Sequence, residues 1–231
     1  MIICKNASFG YEGQQVVSDL NFEINYGDYL CIVGENGSGK STLIKGILGI
    51  TPPMTGVLDI IVKKSEIGYL PQSSDLNGFF PASVNEIVMS GFCGKLGRRL
   101  FYTKAQKETA VNIMKKLSID EFADNNISTL SGGQKQRVFL ARALCAGTKL
   151  IIMDEPASSL DPIAATNLYS IIKEINQSGI TVIMVSHDIK SATEYASHIL
   201  HLGNKQLFFG TTEDYISNPY HNLMEGGKSD E

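Results

Sequence analysis

The sequence predicts an α/β fold, on three observations. A glycine-rich turn, Gly34-Glu-Asn-Gly-Ser-Gly-Lys-Ser41, lies between an apolar strand-like run and a stretch with helical spacing. A second apolar run, Leu150-Ile-Ile-Met153, ends in two adjacent carboxylates, Asp154 and Glu155. The last third of the chain alternates strand-like and helix-like segments, as a parallel sheet with crossover helices requires.

Taken in order, Ile2 to Ile24 alternates polar and apolar residues about a Gly10-Tyr-Glu-Gly13 turn, which suits antiparallel strands. Tyr29-Leu-Cys-Ile-Val33 predicts a strand, and Leu43, Ile44, Ile47 and Leu48 recur at helical spacing until Gly49 stops them. Gly56–Val62 and Ile67–Leu70 read as further strands, the second ending at Pro71-Gln72. Ser83-Val-Asn-Glu86 has the form of a capping box, so a helix is expected with Ile87 and Val88. Ala110, Val111, Met114 and Leu117 place another helix over 104–117, making the middle third mostly helical. Ser131 is a good N-cap for a helix with Val138, Ala141, Leu144 and Cys145 on one face, which Gly147 can end. Then come a strand at 150–153, a helix over 164–176, a strand at 180–185 and a helix over 189–196. The tail is small and polar from Glu225, and residues 222–231 are expected to be disordered.

Composition excludes several classes. A chain of 231 residues, 43% hydrophobic and 19% charged, is ordinary for a globular protein. A net charge of -4 argues against nucleic acid as a partner, and the basic cluster Lys95, Arg98 and Arg99 reads as a solvated surface or docking edge. Cys4, Cys31, Cys93 and Cys145 form no C-x-x-C pair and follow no secretory signal, so reduced thiols of a cytosolic protein are expected. No apolar run approaches the roughly 20 residues that span a bilayer, so any membrane role must pass through a partner.

Gly34 to Ser41 fits G-x-x-x-x-G-K-[ST] without a mismatch. At a strand-to-helix turn, backbone N–H groups of Gly34, Asn36, Gly37, Ser38 and Gly39 are open to a phosphate, and the helix adds its positive end. Lys40 is expected to reach the β and γ phosphates, the Ser41 hydroxyl to ligate Mg²⁺, and Thr42 to assist. Asp154 is the candidate for the Mg²⁺ shell, and Glu155 for polarising the attacking water. Leu130-Ser-Gly-Gly-Gln134 leaves bare N–H groups at a second helix start, an anion site separate from the first. One subunit's Ser131, Gly132, Gly133 and Gln134 closing over a nucleotide held by another is the economical explanation. Ser186-His187-Asp188 is no hydrolase triad, because chain neighbours point apart. His198 and His201 stand at helical spacing, but with no third ligand nearby they read as surface or core histidines.

With these motifs in this order, the chain resembles the ATP-binding subunit of ABC transporters over nearly its whole length. Gly34 to Thr42 is similar to the Walker A loop, Gln72 to the Q-loop glutamine, Leu130 to Gln134 to the signature motif, and Leu150 to Glu155 to Walker B. Ser158-Ser-Leu-Asp161 resembles the D-loop, His187 the switch histidine, and Tyr11 the aromatic that stacks on adenine. Departures are slight: Glu35 where proline is common, and Ser159 where alanine or glycine is common. The resemblance implies the ABC ATPase fold: an α/β P-loop NTPase core with an antiparallel β lobe and a mostly helical subdomain. Core and β lobe would occupy about 1–75 and 145–221, and the helical subdomain about 76–144, within one domain of residues 1–221.

The resemblance also implies ATP and Mg²⁺ as cofactors and a mechanism. Gln72 would sense Mg²⁺ and the attacking water, His187 would contact the γ-phosphate, and Asp161 would connect the two sites of an ATP-dependent homodimer. Integral membrane permease subunits and an extracytoplasmic substrate-binding protein would be the other partners, at the cytoplasmic face of the membrane. Asp75-Leu-Asn-Gly-Phe-Phe-Pro-Ala-Ser-Val84, running on to Val88-Met-Ser-Gly91, looks like importers of zinc, manganese or iron. An importer of another substrate, and a soluble ABC ATPase of an assembly system such as iron-sulfur cluster biogenesis, remain open at this point.

Overall fold

A computed structural model describes residues 1–72 and 81–220. The expected tail at 222–231, and residues 75–80 of the segment that looks like metal importers, lie outside the described residues. In chain order the first elements are β1 (Ile2–Tyr11), β2 (Gln14–Ile24), β3 (Tyr29–Val33), α1 (Lys40–Ile47), β4 (Thr55–Ile60) and β5 (Ile67–Leu70). Then follow α2 (Val84–Ser90), α3 (Lys104–Lys116), α4 (Gly132–Ala146), β6 (Leu150–Asp154) and α5 (Pro162–Gln177). The last are β7 (Thr181–Val185), α6 (Ile189–Tyr195), β8 (His198–Gly203), β9 (Lys205–Thr211) and α7 (Thr212–Ile216). The chain divides into two compact units, one made of Met1–Val62 with the described chain from Thr181 onward, the other of Lys63–Ile180.

In the first unit, β1 pairs antiparallel with β2, as the alternating start of the sequence predicts, and also antiparallel with β4. β3 is buried at every position and runs parallel between β7 and β8, so its side chains meet protein on both faces. β8 turns back into β9 antiparallel. Helix α1 packs on the β1 side through Gly46, where a Cβ would stand 2.5 Å from the Phe9 ring. A larger residue there would push the helix off the sheet.

Three of these elements, β8, β9 and α7, follow the last helix read from the sequence. β8 also corrects the helical spacing read for two histidines, while their reading as surface or core residues stands. His198 and His201 stand on a strand, where a spacing of three sends side chains to opposite faces. His198 is half-buried beside the Ser197 hydroxyl at 3.0 Å, while His201 is buried, so the pair cannot share a metal.

In the second unit, β5 and β6 pair parallel, Ile67 with Leu150 through Leu70 with Met153. Helix α4 approaches β5 closely: a Cβ on Gly68 would lie 2.1 Å from the Ala143 carbonyl oxygen, and one on Gly147 2.0 Å from the Gly68 nitrogen. Gly91, after α2, meets the same helix, its Cβ position 2.2 Å from the Arg142 carbonyl oxygen. The helix starts follow from side chains. Ser83 with Glu86, Thr103 with Gln106, and Ser131 with Gln134 all form reciprocal capping boxes, satisfying first-turn N–H groups that have no helical partner. α5 starts two residues earlier than its apolar spacing suggests, because Asp161 caps it and Pro162 fits the first helical position. Lys95 of the basic cluster turns inward and donates to the Cys145 carbonyl at 3.0 Å.

Candidate functional site

The first unit carries the glycine loop. β3 ends at Val33 and α1 begins at Lys40, with Gly34 to Gly39 between them. Gly39 has φ 95° and makes no side-chain cap, so no capping side chain covers the N–H groups at the start of α1. Two glycines are required by their neighbours. At Gly34, φ 147°, a Cβ would stand 2.1 Å from the Leu202 carbonyl oxygen, and at Gly39 it would stand 2.6 Å from Val17 Cβ. The backbone is therefore stripped of side chains where it must bend round an anion.

Within that loop the Lys40 ammonium donates to the carbonyl oxygens of Gly34 at 2.8 Å and Glu35 at 2.6 Å, and the residue is only 5% exposed. A buried cation resting on its own loop is already oriented for a phosphate. Ser38 Oγ is buried and has no hydrogen-bond partner among the described residues, which fits a polar group reserved for a ligand. Ser41 is exposed and Thr42 buried on the first turn. Tyr11 ends β1 with its ring partly exposed, and Lys45 Nζ lies 5.4 Å from the ring centroid. His187 is exposed just beyond β7, and Asp188 caps α6 by accepting from Ser191 N.

The second unit carries the carboxylates. Asp154 is the last residue of β6, 8% exposed. Glu155 follows with φ 49°, a left-handed conformation that a non-glycine residue adopts only when its surroundings hold it there. Gln72, after β5, donates from Nε2 to Glu155 Oε2 at 3.0 Å. Residues 83 apart in sequence are thus joined by the parallel pairing of β5 with β6, which brings both strand ends to the same edge.

The second glycine motif is built differently. Ser131 Oγ accepts from Gln134 N at 3.3 Å, and Gln134 Oε1 accepts from Ser131 N at 2.9 Å, so both side chains cap α4. A Cβ on Gly132 would meet nothing closer than Leu160 at 3.6 Å, and one on Gly133 nothing closer than Ala164 at 3.5 Å. Those are ordinary contacts, so packing against the described residues does not demand glycine at either position. Asp161, at the start of α5, accepts from Ile163 N at 3.1 Å and Ala164 N at 3.0 Å. Beside it Ile163 is 76% exposed.

Among the described residues, no three His, Cys, Asp or Glu side chains are grouped to hold a metal ion, and no helix is long and apolar enough to cross a membrane. What sequence reasoning missed is the support behind the loop: Leu202 against Gly34, and Val17 against Gly39. The available signal is the loop's glycine content, which permits a close neighbour without naming it: Gly34 and Gly39 have one, while Gly37, also of positive φ, has none within 4 Å.

A glycine loop with an inward lysine, and an acidic strand end with a glutamine bound to its second carboxylate, define the P-loop class of nucleotide-binding α/β proteins. Residues 17–158 match the family described as ABC transporter. The chain belongs to that family and is an ATP-binding, ATP-hydrolysing subunit with the ABC ATPase fold. It is 37% identical to the manganese transport system ATP-binding protein MntB of Bacillus subtilis, over 92% of this chain and 87% of that protein. It is 33% identical to the zinc transport system ATP-binding protein TroB of Treponema pallidum, over 92% of this chain and 84% of that one. Among solved structures, an inward-facing transporter described as of metal-chelate type matches with TM-score 0.84 and 30% identity, over 92% of this chain and 84% of the other.

Proposed function

We propose that this chain is the ATPase of an importer for a divalent metal ion, working with membrane permease subunits and an extracytoplasmic substrate-binding protein at the cytoplasmic face of the membrane. The observation that carries the cargo is the similarity to manganese and zinc transport ATPases along nine tenths of the chain. The metal is cargo for the permease. The test is to pull the chain down from solubilised membranes, reconstitute the recovered complex and measure manganese and zinc uptake driven by ATP. Recovery with soluble scaffold proteins and no multi-span partner would instead assign it to an assembly system.

For the reaction itself, the donor types suit a nucleotide with Mg²⁺. Ser41, Gln72 and Asp154 offer the hard oxygen ligands that ion prefers, and the bound ion would neutralise developing charge on the phosphates. Lys40 and the N–H groups of Gly34, Asn36, Gly37, Ser38, Gly39 and Thr42 would hold the β and γ phosphates, and Tyr11 the adenine. Glu155, oriented by Gln72, would polarise the attacking water, and His187 would contact the γ-phosphate.

The chain would act as a head-to-tail homodimer around two ATP molecules. Support comes from Gly132 and Gly133, where a Cβ would make only ordinary contacts among the described residues, and from the exposed Ile163 beside Asp161. Ser131, Gly132, Gly133 and Gln134 would close on the partner's nucleotide, with Asp161 linking the two sites. Gly133→Ala separates this role from a structural one. Alanine stabilises a helix by about 1 kcal/mol relative to glycine, so the melting temperature should hold or rise while ATP turnover falls. A variant with native turnover would remove the motif from the reaction.

A further inference from the structure

Behind the phosphate loop, within the first unit, stands a group of rings to which nucleotide chemistry assigns no part. His201 on β8 is 4% exposed, and its Nδ1 lies 3.1 Å from the hydroxyl of Tyr215 on α7, which is wholly buried. The rings of Tyr215 and Tyr220 stand edge-on to the imidazole at 5.8 Å and 5.9 Å. Phe208, opposite His201 in the β8–β9 ladder, lies 5.2 Å from the Tyr215 ring.

This cluster is joined to the loop through backbone. His201 pairs in register with Val33, the last residue before Gly34, and the next carbonyl along β8, that of Leu202, abuts Gly34. Gly34 and Glu35 in turn present the carbonyls on which the Lys40 ammonium rests. Moving His201 therefore moves the β8 carbonyl that sets the start of the loop, and with it the seat of Lys40.

The charged and titratable groups around the ring favour a neutral imidazole. Burial lowers the proton affinity of His201, the Glu35 carboxylate partly restores it, and Lys40 lowers it further. Burial pushes the Tyr215 phenol up to about 12, with the buried Cys31 of β3 adding to the shift, so that hydroxyl keeps its proton. A neutral imidazole and a protonated phenol make one hydrogen bond in a dry site, whereas an imidazolium there would face Lys40.

We infer that His201, held by Tyr215, is a positioning residue of the phosphate loop, fixing from β8 the backbone that seats Lys40. The inference rests on reading Gly34 to Thr42 as the nucleotide loop, which Lys40→Ala tests separately. ATP affinity of the full chain, by calorimetric titration, is the primary readout. His201→Leu and Tyr215→Phe should each weaken ATP binding by about fivefold to tenfold, the worth of one buried hydrogen bond. The double variant should be no worse than either single one, because both remove the same bond. Turnover at saturating ATP should stay within about twofold of the native rate, since neither group touches the reacting atoms.

His201→Asn keeps a hydrogen-bonding atom near the place of Nδ1 but cannot titrate, so it should bind ATP as the native chain does. Its stability should also respond differently to acid. With His201 held below its ordinary value of 6.5, the folded chain resists a proton that the unfolded chain accepts. That stability is complete above pH 6.5 and declines as pH falls below it, a decline the Asn variant should lack. Variants that melt earlier yet bind ATP within about twofold of native would overturn the inference, as would single effects that add in the double variant. If His201→Leu fails to fold, Tyr215→Phe measured against His201→Asn decides the matter: equal, native-like affinities in both would overturn it.

Discussion

Glu155→Gln is expected to bind ATP normally and to hydrolyse it about 10²- to 10⁴-fold more slowly, the usual worth of a positioned general base. The change is isosteric, and β5 and β6 pair whether or not the side chain at 155 is charged, so the fold and the nucleotide loop should be preserved. What is lost is the carboxylate that Gln72 orients at 3.0 Å. With hydrolysis stopped and binding intact, the ATP-bound state should accumulate as a dimer, because closure around two nucleotides would no longer be reversed. Phosphate release and size-exclusion chromatography with light scattering, both at saturating Mg-ATP, check the two parts. A variant that stays monomeric would remove the head-to-tail model, and one with native turnover would remove Glu155 from the chemistry.

Lys40→Ala acts on a different step. Lys40 is buried and bonded to two carbonyls of its own loop, so its ammonium is placed before any nucleotide arrives. Removing a charged donor to phosphate costs about 2–3 kcal/mol, or roughly a hundredfold in dissociation constant. The same change leaves the Gly34 and Glu35 carbonyls without that donor, which adds to the loss if the loop relaxes. Calorimetric titration with ATP measures the effect, and an unchanged dissociation constant would contradict the role given to this lysine. Circular dichroism of the variant separates a relaxed loop from an unfolded chain.

The two variants lie in different units, Lys40 in the first and Glu155 in the second, and they also mark how far sequence reasoning reaches. Lys40, its glycines and Ser41 are legible without coordinates because a phosphate loop is a local object. One strand end, a few residues needing positive φ and one helix start hold all its parts, and each leaves a residue type behind. The capped starts at Ser83 and Ser131 are legible for the same reason, since a cap and the N–H it accepts from lie within three residues. Gln72 and Glu155 are each legible as family positions, but their hydrogen bond is not. Strand pairing closes the 83-residue gap between them, and pairing partners leave no mark in either segment.

The C-terminal hairpin shows the opposite limit. His198-Ile-Leu-His-Leu-Gly203 is too short and too apolar for periodicity to separate strand from helix, so its histidines stood at helical spacing on paper and on opposite strand faces in the fold. Sequence alone determined that this chain is a P-loop ATPase of the ABC family, because nucleotide chemistry confines its glycines, lysine and carboxylates to short, ordered motifs. Only tertiary structure decided what stands behind those motifs: Leu202 under Gly34, Val17 against Gly39, and His201 bonded to Tyr215. Close packing is a relation between distant segments, settled by how strands pair and turns return, and no single stretch of sequence carries it.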